Sequence, residues 1–342
     1  MPDCWVLPVL IRLEAAADRR LIGPLAVAAG ERRSAIFAAL AGLGSDGRLP
    51  LGLAGLSPKD LVEWLLSAPT GEIVTAVLGD VPELSVAVAR IGCDPLEDPA
   101  DYARLAGLLS GQEPRARRQA QCLLQAERIS SRLLRILDRL RESYLRPGVV
   151  SAIRTPEIAD RIEQITDLLL QSCSRLTEED LAQSLEAGAL FNVHDWASRT
   201  LLWHGDALCD LPDDEDFGFL RSAQAFATCA EHYGGELASA SSGKIMNAAL
   251  GVAAFAEWKH APVLVELMRM SDGSEAFWVC QDLRGPDGAS VSDRLTRDIR
   301  ISLRRRGIRS LAVTHRPGLG FDLVERLAHV EPVSLLRVCE AA

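Results

Sequence analysis

Two pairs of ligand-type side chains lie about twenty residues apart in the central part of the sequence. His204 and Cys209 form the first pair, and Cys229 and His232 form the second. Tetrahedral zinc sites are built from nitrogen and sulfur ligands that short segments deliver in such pairs. His194 adds a further ligand type nearby. Zinc is therefore one predicted cofactor. The sequence favours the alternative of core cysteines and surface histidines, because isolated pairs of this kind are common by chance.

A glycine-containing loop near the C-terminus is a second candidate. It follows the predicted strand Arg309–Thr314, contains His315, Arg316, Gly318 and Gly320, and leads into a predicted helix. A loop that runs from a strand end into a helix N-terminus can bind an anion through backbone N–H groups. The loop is therefore a predicted ligand-binding site.

Three charged residues are predicted to meet this loop at one rim of a sheet. Asp282 and Arg284 end the predicted strand Glu275–Leu283, and Glu266 lies on the strand paired with it. If Glu275–Leu283 is parallel to the strand before the loop, these side chains meet where open α/β sheets bind ligands. The arrangement would suit an enzyme or degenerate enzyme acting on a phosphate-bearing or nucleic-acid substrate. The favoured interpretation is a turn with a solvated edge, because Leu323 replaces the third glycine of the dinucleotide pattern.

Arginines recur on one side of two predicted helices, where they form candidate interaction faces. One row lies in the central region and the other near the C-terminus: Arg128, Arg132, Arg135 and Arg139, then Arg294, Arg297, Arg300 and Arg304. Such rows can bind phosphates in a salt-sensitive manner, which makes nucleic acid a candidate partner. The alternatives are a solvated face or a face docked on the chain's own acidic segments, such as Asp206–Asp216.

The C-terminal elements alternate between strand-like and helix-like periods. The predicted order is β-hairpin, helix, strand, helix, strand, which implies a small mixed sheet with helices packed on it. The predicted bounds are Pro262–Met270, Glu275–Leu283, a helix from a capping box at Ser290 to Arg306, Arg309–Thr314, Phe321–His329 and Pro332–Cys339.

This order of elements resembles that of the restriction-endonuclease-like fold. The resemblance implies a metal-dependent hydrolase with an acid on one strand and an acid-x-Lys pattern on the next. Glu266 would be the first acid, but Gln281–Arg284 contains no lysine and one expected strand is missing. The implied site would be degenerate, which puts metal-dependent hydrolysis in question. The resemblance covers about a quarter of the chain and rests on no specific motif, so no family is assigned.

The first 110 residues are predicted to form four to six short helices, with a weak strand at Trp5–Leu13. Helix starts are indicated by Ser57-Pro58 and Asp98-Pro99, where a cap residue precedes proline. Glu113–Arg146 is predicted to be a single helix. The acidic segment Thr155–Leu190, which restarts at a capping box at Thr177, is predicted to pair with it as an antiparallel, oppositely charged helix.

The segment between these helices and the C-terminal sheet is predicted to be helical with two interruptions. Phe191–Tyr233 is broken by the acidic loop, and Gly234–Gly243 forms a linker rich in small residues. A helix of small residues is predicted over Lys244–Trp258. Ser241–Lys244 does not form a phosphate loop, because Ala238 stands where that motif needs glycine.

The sequence as a whole predicts an α+β protein. The N-terminal and central regions are expected to be mostly helical, followed by a small mixed α/β domain. The predicted domains are 1–112, 113–233, a linker with a connecting helix at 234–261, and 262–342. A net charge of −10 argues against a surface covered with nucleic-acid contacts. Eight scattered cysteines without a CxxC motif, and no recognisable signal peptide or membrane-spanning run, favour a cytoplasmic protein.

No catalytic signature is present, while long amphipathic helices provide faces for partner helices. The predicted function is therefore a non-enzymatic adaptor or accessory subunit that binds a protein partner. Enzymatic activity at the C-terminal rim and a zinc-stabilised module are the alternatives.

Overall fold

The computed structural model describes residues 5–44, 53, 55–188, 192–239, 243–271, 275–310 and 331–332. The chain divides into two compact units. Unit 1 contains residues 1–163 and 185–190, and unit 2 contains residues 164–184 and 191–342. The α+β prediction is confirmed, because a small mixed sheet follows a long series of helices. The four predicted domains stay a prediction, since compactness within one chain does not test independent folding.

Unit 1 is built from short helices. Helices α1–α10 span Val6–Ala17, Ile22–Val27, Gly30–Gly44, Pro58–Ser67, Thr70–Leu78, Pro82–Ala89, Ala100–Ser110, Pro114–Gln125, Ser131–Arg139 and Pro147–Ala152. The chain passes from unit 1 to unit 2 within helix α11 (Pro156–Ser172) and returns to unit 1 within helix α12 (Glu178–Ala187). No helix in the described part of the chain is long and apolar enough to cross a membrane.

Local capping sets several helix starts as the sequence predicts. Ser57 caps α4 by accepting a hydrogen bond from the Asp60 N–H, and Pro58 occupies the first helical position. Thr177 and Asp180 exchange side-chain-to-backbone hydrogen bonds before α12, which is the geometry of a capping box.

Two expectations for the N-terminal region are wrong. The predicted strand Trp5–Leu13 lies in helix α1, where Val6, Val9 and Leu13 recur at helical spacing and are buried. The region before residue 112 also contains seven described helices rather than four to six.

The predicted helix Glu113–Arg146 is also wrong, because the chain leaves helical geometry between α8 and α9. Ala126 is extended, and Ser130 starts α9 by accepting a hydrogen bond from the Leu133 N–H. The Arg90 guanidinium donates to the carbonyls of Leu124 and Ala126 at the end of α8. The Ile129 N–H in turn donates to the Arg90 carbonyl. This tertiary contact supplies hydrogen-bond donors to the carbonyls at the end of α8, although the helical pattern of the sequence continues past that point.

The described part of unit 2 contains the sheet and four α-helices that lie wholly within the unit. Helices α13–α16 span Val193–His204, Ala223–Tyr233, Lys244–Ala249 and Asp293–Arg305. Strands β1–β6 span Phe217–Phe219, Ala253–Trp258, Leu264–Ser271, Ala276–Arg284, Arg309–Ser310 and Glu331–Pro332.

The described strands lie in the order β1-β2-β3-β4-β5, and β6 pairs with the end of β3. The pairs β1–β2, β2–β3 and β3–β4 are antiparallel, whereas β4 and β5 are parallel. The predicted hairpin therefore corresponds to β3 and β4. The parallel pairing required for the predicted rim is present.

Strand β2 corrects the predicted helix Lys244–Trp258, of which only Lys244–Ala249 is helical. Ala253–Trp258 is alanine-rich, which does not favour a strand locally. It becomes one because it is buried along most of its length and hydrogen-bonded to β1 on one side and β3 on the other. Tertiary pairing overrides local preference here.

Helix α16 packs against the sheet through one stripe. Ile299 and Leu303 are buried with Val265, Leu267 and Trp258 in the core on that face of the sheet. The helix begins two residues later than predicted, because Ser292 rather than Ser290 accepts the capping hydrogen bond from the Leu295 N–H. The predicted helix Phe321–His329 and most of the last strand lie outside the described residues.

Candidate functional site

The rim acids and the rim arginine come together on neighbouring strands. Glu266 on β3 faces Asp282 on β4 in the strand register, and Arg284 lies two residues further along β4. Alternate residues of a strand share a face, so all three side chains project to one side. The Arg284 Nε lies 2.6 Å from Asp282 Oδ2, and its Nη2 lies 3.6 Å from Glu266 Oε2.

Two residues that the sequence did not predict complete this rim cluster. Lys244, the first residue of α15, places its Nζ 2.8 Å from Glu266 Oε2 and lies over the Phe255 ring. Glu236, from the 3₁₀ helix Gly235–Ala238, lies 3.3 Å from Arg284 Nη1. The rim cluster is defined as Lys244, Glu266, Asp282, Arg284 and Glu236. No sequence pattern indicates Glu236, and Lys244 stands out only within Ser241–Lys244, a segment that does not form a phosphate loop.

Each carboxylate of the rim cluster contacts a cation. Burial lowers the pKa of Arg284, but the hydrogen bond to Asp282 and the charges of Asp282 and Glu266 outweigh that effect and raise its pKa above the usual value. Within the described residues no group of three acid, histidine or cysteine side chains is arranged to hold a metal ion. The cluster has the chemistry of an ion-pair network.

The structure does not reproduce the acid-x-Lys arrangement of the restriction-endonuclease-like fold. Strand β2 supplies a strand that the sequence pattern lacked, but Lys244 lies on a helix rather than on β4. The loop residues predicted to join the rim lie outside the described residues: His315, Arg316, Gly318 and Gly320.

The predicted zinc ligands are not gathered into one cluster. His204 ends α13, Cys209 lies in the following loop, and Cys229 and His232 lie on α14. Burial raises the pKa of the Cys229 thiol to about 12 and also raises that of Cys209. Zinc binds the thiolate, so both shifts oppose ligation.

The central arginine row is largely engaged by acidic residues of unit 1. Arg128 lies 2.8 Å from Asp94, and Arg135 lies 2.7 Å from Glu97. Arg139 also makes an ion pair, at 2.6 Å, with Asp160 on the predicted acidic partner helix. Arg132 is exposed and makes no ion pair within the described residues.

The arginine row of α16 has a different electrostatic environment. Arg297 and Arg304 are exposed, Arg300 is half-buried, and none of the three makes an ion pair in the part of the chain that the structure describes. Together with Asp293, Thr296 and Ile301 they line a shallow depression. These three arginines are called the α16 arginine face below.

The acidic loop of unit 2 binds the other side and the end of α16. Arg306 lies 2.7 Å from both an Asp214 carboxylate oxygen and the Pro212 carbonyl. Asp216 accepts hydrogen bonds from Ser302 on α16 and from His260 after β2. The acidic loop therefore docks on α16 through Ser302 and Arg306 and not through the predicted arginine row, so the α16 arginine face stays unpaired among the described residues.

Asp216, His260 and Ser302 do not form a nucleophilic triad. The carboxylate lies between the other two side chains, so the imidazole does not reach the hydroxyl as a base. The hydrogen bond from Ser302 is the main cause that lowers the pKa of Asp216, and the hydrogen bond and charge of His260 add to it. This group holds the loop against α16.

Comparison with known proteins finds no matching family model, no matching curated protein and no matching solved structure.

Proposed function

We propose that this protein is a non-enzymatic cytoplasmic adaptor or accessory subunit that binds a protein partner through the α16 arginine face. The supporting observation is the contrast between the two arginine rows. Three of the four central arginines contact acidic residues of their own unit. No member of the α16 face makes an ion pair within the described residues. Exposed charge that the described residues do not compensate is available to a partner of opposite charge.

The cysteines support the cytoplasmic assignment. The six that the structure describes are free thiols, four of them buried. Free buried thiols are typical of proteins from reducing compartments, because oxidising compartments favour disulfides.

Partner capture tests the adaptor function. The full chain is immobilised and exposed to nuclease-treated cell extract, and retained proteins are quantified by mass spectrometry. We expect a protein to be retained by the wild type and to be reduced at least about tenfold by Arg297→Glu with Arg304→Glu, because charge reversal removes an attraction and adds a repulsion.

Two controls make the capture experiment decisive. Arg132→Glu, at an exposed arginine of α9 that also makes no ion pair within the described residues, is expected to retain the same protein. Asp282→Ala with His315→Ala is also expected to retain it, because the rim takes no part in the proposed binding. The proposal fails if no retained protein depends on the α16 arginine face.

An enzyme acting on a phosphate-bearing or nucleic-acid substrate at the rim is the second candidate. Its support is that Glu266, Asp282 and Arg284 converge together with Lys244. It requires turnover of an oligonucleotide or phosphoester with Mg²⁺ or Mn²⁺ present, and loss of that turnover in Glu266→Gln. Equal background rates for both proteins would remove it. The zinc-stabilised module is third, and requires about one equivalent of metal in the purified protein.

A further inference from the structure

We infer that the α16 arginine face binds an acidic, amphipathic segment of the partner, and that an apolar side chain of that segment packs on Ile301. The inference rests on the proposed function and specifies the chemistry of the partner. It follows from the geometry of α16, from the way this helix already binds acid, and from the apolar residue within the cationic face.

The positions of the arginines define a strip along the helix. Arg297, Ile301 and Arg304 are spaced i, i+4 and i+7, and Arg300 is one turn from both Arg297 and Arg304. At 1.5 Å per residue the strip extends about 10 Å along the helix axis. Two helical turns of a partner have the same length. The dimensions of the strip thus fit a helical segment with acidic residues on one side.

Ile301 is unusual for its exposure within this strip. Its exposed fraction is 44%, although large apolar side chains on the opposite side of the same helix are buried. The depression that it lines contains three cationic side chains, at positions 297, 300 and 304, together with Asp293 and Thr296. Protein–protein interfaces commonly have an apolar centre with polar and charged side chains around it, and an exposed isoleucine among charged side chains fits that pattern.

The rigidity of α16 favours binding without rearrangement. Ile299 and Leu303 are fully buried against the sheet, and Ser292 caps the first turn. The exposed face is therefore held in place by its opposite side. Binding to a pre-organised surface costs less conformational entropy than binding to a mobile one.

The chain's own acidic loop shows how an arginine at the end of α16 recognises protein. Arg306 contacts both the Asp214 carboxylate and the Pro212 carbonyl, and its guanidinium lies over the Phe217 and Phe219 rings at 5.8 and 5.3 Å. Arg306 thus contacts an acidic side chain, a backbone carbonyl and two aromatic rings at the same time. The exposed strip presents the same combination of guanidinium groups and apolar surface.

Protein fits this face better than nucleic acid does. A phosphate backbone would satisfy the arginines but offers no apolar partner to Ile301. The described residues that line the depression include no aromatic side chain to stack on bases. The net charge of −10 opposes non-specific attraction of a polyanion to the whole chain.

Peptide binding to the purified full chain tests the inference. The probe is a fluorescent synthetic helix with glutamates on one face and a central leucine, and the matched probe has serine in place of leucine. We expect the leucine peptide to bind, and Arg297→Glu with Arg304→Glu to weaken it at least about tenfold. We expect Ile301→Ser, and the serine peptide, to weaken it about fivefold. Arg132→Glu should leave the affinity unchanged.

The outcomes separate this inference from the proposed function. Equal affinity for both peptides, or no effect of Ile301→Ser, overturns the apolar anchor. An oligonucleotide that binds more tightly than the peptide, with the same arginine dependence, overturns the assignment to protein. A wild type that binds no peptide also overturns the inference. The proposed function survives that last result if protein capture still depends on the arginine face. Circular dichroism of each variant establishes that it is folded.

Discussion

The Nζ of Lys244 lies 2.8 Å from the Oε2 of Glu266, and both side chains are only 13% exposed. Arg284 approaches the same carboxylate oxygen, so the acid that could have served as a catalytic residue is held between two cations. Removing one member of a shielded ion pair leaves the others uncompensated. The Lys244–Glu266 pair therefore links the first residue of α15 to β3.

Glu266→Gln should destabilise the protein. The substitution keeps the size of the side chain but leaves Lys244 without its carboxylate in a poorly solvated position. We expect the free energy of unfolding to fall by about 2–4 kcal/mol, slightly below the range for fully buried pairs. Urea unfolding followed by circular dichroism measures it.

Glu236→Gln is the matched control for that experiment. Glu236 contacts the same Arg284 but is 73% exposed. Exposed pairs are screened by water and contribute less than about 1 kcal/mol. An equal decrease in the free energy of unfolding for both variants would show that the burial of Glu266 does not strengthen its ion pair.

Asp216→Asn should remove a pH-dependent part of the stability. The pKa of Asp216 is lowered from 3.8, first by Ser302 and then by His260. A lowered folded-state pKa stabilises the fold above the unfolded value, and that stabilisation is lost as the pH falls through the folded value. We expect the wild type to melt at a higher temperature than Asp216→Asn at about pH 5. This difference in melting temperature should disappear as the pH falls below 3.8.

Asp210→Asn provides the control in the same acidic loop. Asp210 is exposed and makes no side-chain hydrogen bond or ion pair within the described residues. Its variant should follow the wild-type melting curve across the same pH range. A constant gap between wild type and Asp216→Asn at every pH would contradict the assignment.

Arg90→Ala should destabilise the junction between α8 and α9. The Arg90 guanidinium donates to the Leu124 and Ala126 carbonyls, and its loss leaves these helix-end groups short of partners. Charge-assisted hydrogen bonds of this kind contribute about 1.5–3 kcal/mol. Equilibrium unfolding should show a loss of that size, with faster amide exchange near Ile129.

Arg132→Ala is the control for this junction. Arg132 lies on α9, is exposed, and makes no side-chain hydrogen bond or ion pair among the described residues. Its replacement should change the free energy of unfolding by no more than about 0.5 kcal/mol. Equal effects of both substitutions would show that the Arg90 contacts do not stabilise the junction.

The described cysteines should differ sharply in reactivity. Burial raises the pKa of Cys122, Cys229 and Cys280 to about 12 and that of Cys173 to about 11, whereas Cys93 is exposed. The thiolate is the reactive form. Alkylation at about pH 8, followed by peptide mass spectrometry, should label Cys93 first and these four only after denaturation. Early labelling of Cys122 would contradict the burial.

Much of the secondary structure could be predicted because its causes are local. A cap residue and the N–H it bonds are three positions apart at Ser57 and Thr177. Alternation of side chains predicts β3 and β4, and helical spacing predicts the opposite faces of α16. The break at Ala126 could not be predicted in this way, because the Arg90 that supports it lies 36 residues away.

Part of the rim cluster could likewise be anticipated. Glu266, Asp282 and Arg284 meet because paired strands place alternate residues on one side. Lys244 and Glu236 could not be predicted to join them. They come from other elements, 22 residues before Glu266 and 48 before Arg284 respectively.

The sequence by itself determined the helical character of the N-terminal and central regions, the C-terminal hairpin and the two arginine rows. These depend on periodicity and on contacts within a few residues. The tertiary structure alone decided that Ala253–Trp258 is a strand and that Lys244 neutralises Glu266. It also decided that three of the four central arginines are paired, whereas Arg297, Arg300 and Arg304 make no ion pair within the described residues. The physical reason is that hydrogen bonding between strands and charge compensation depend on distances in space, which residue order does not fix.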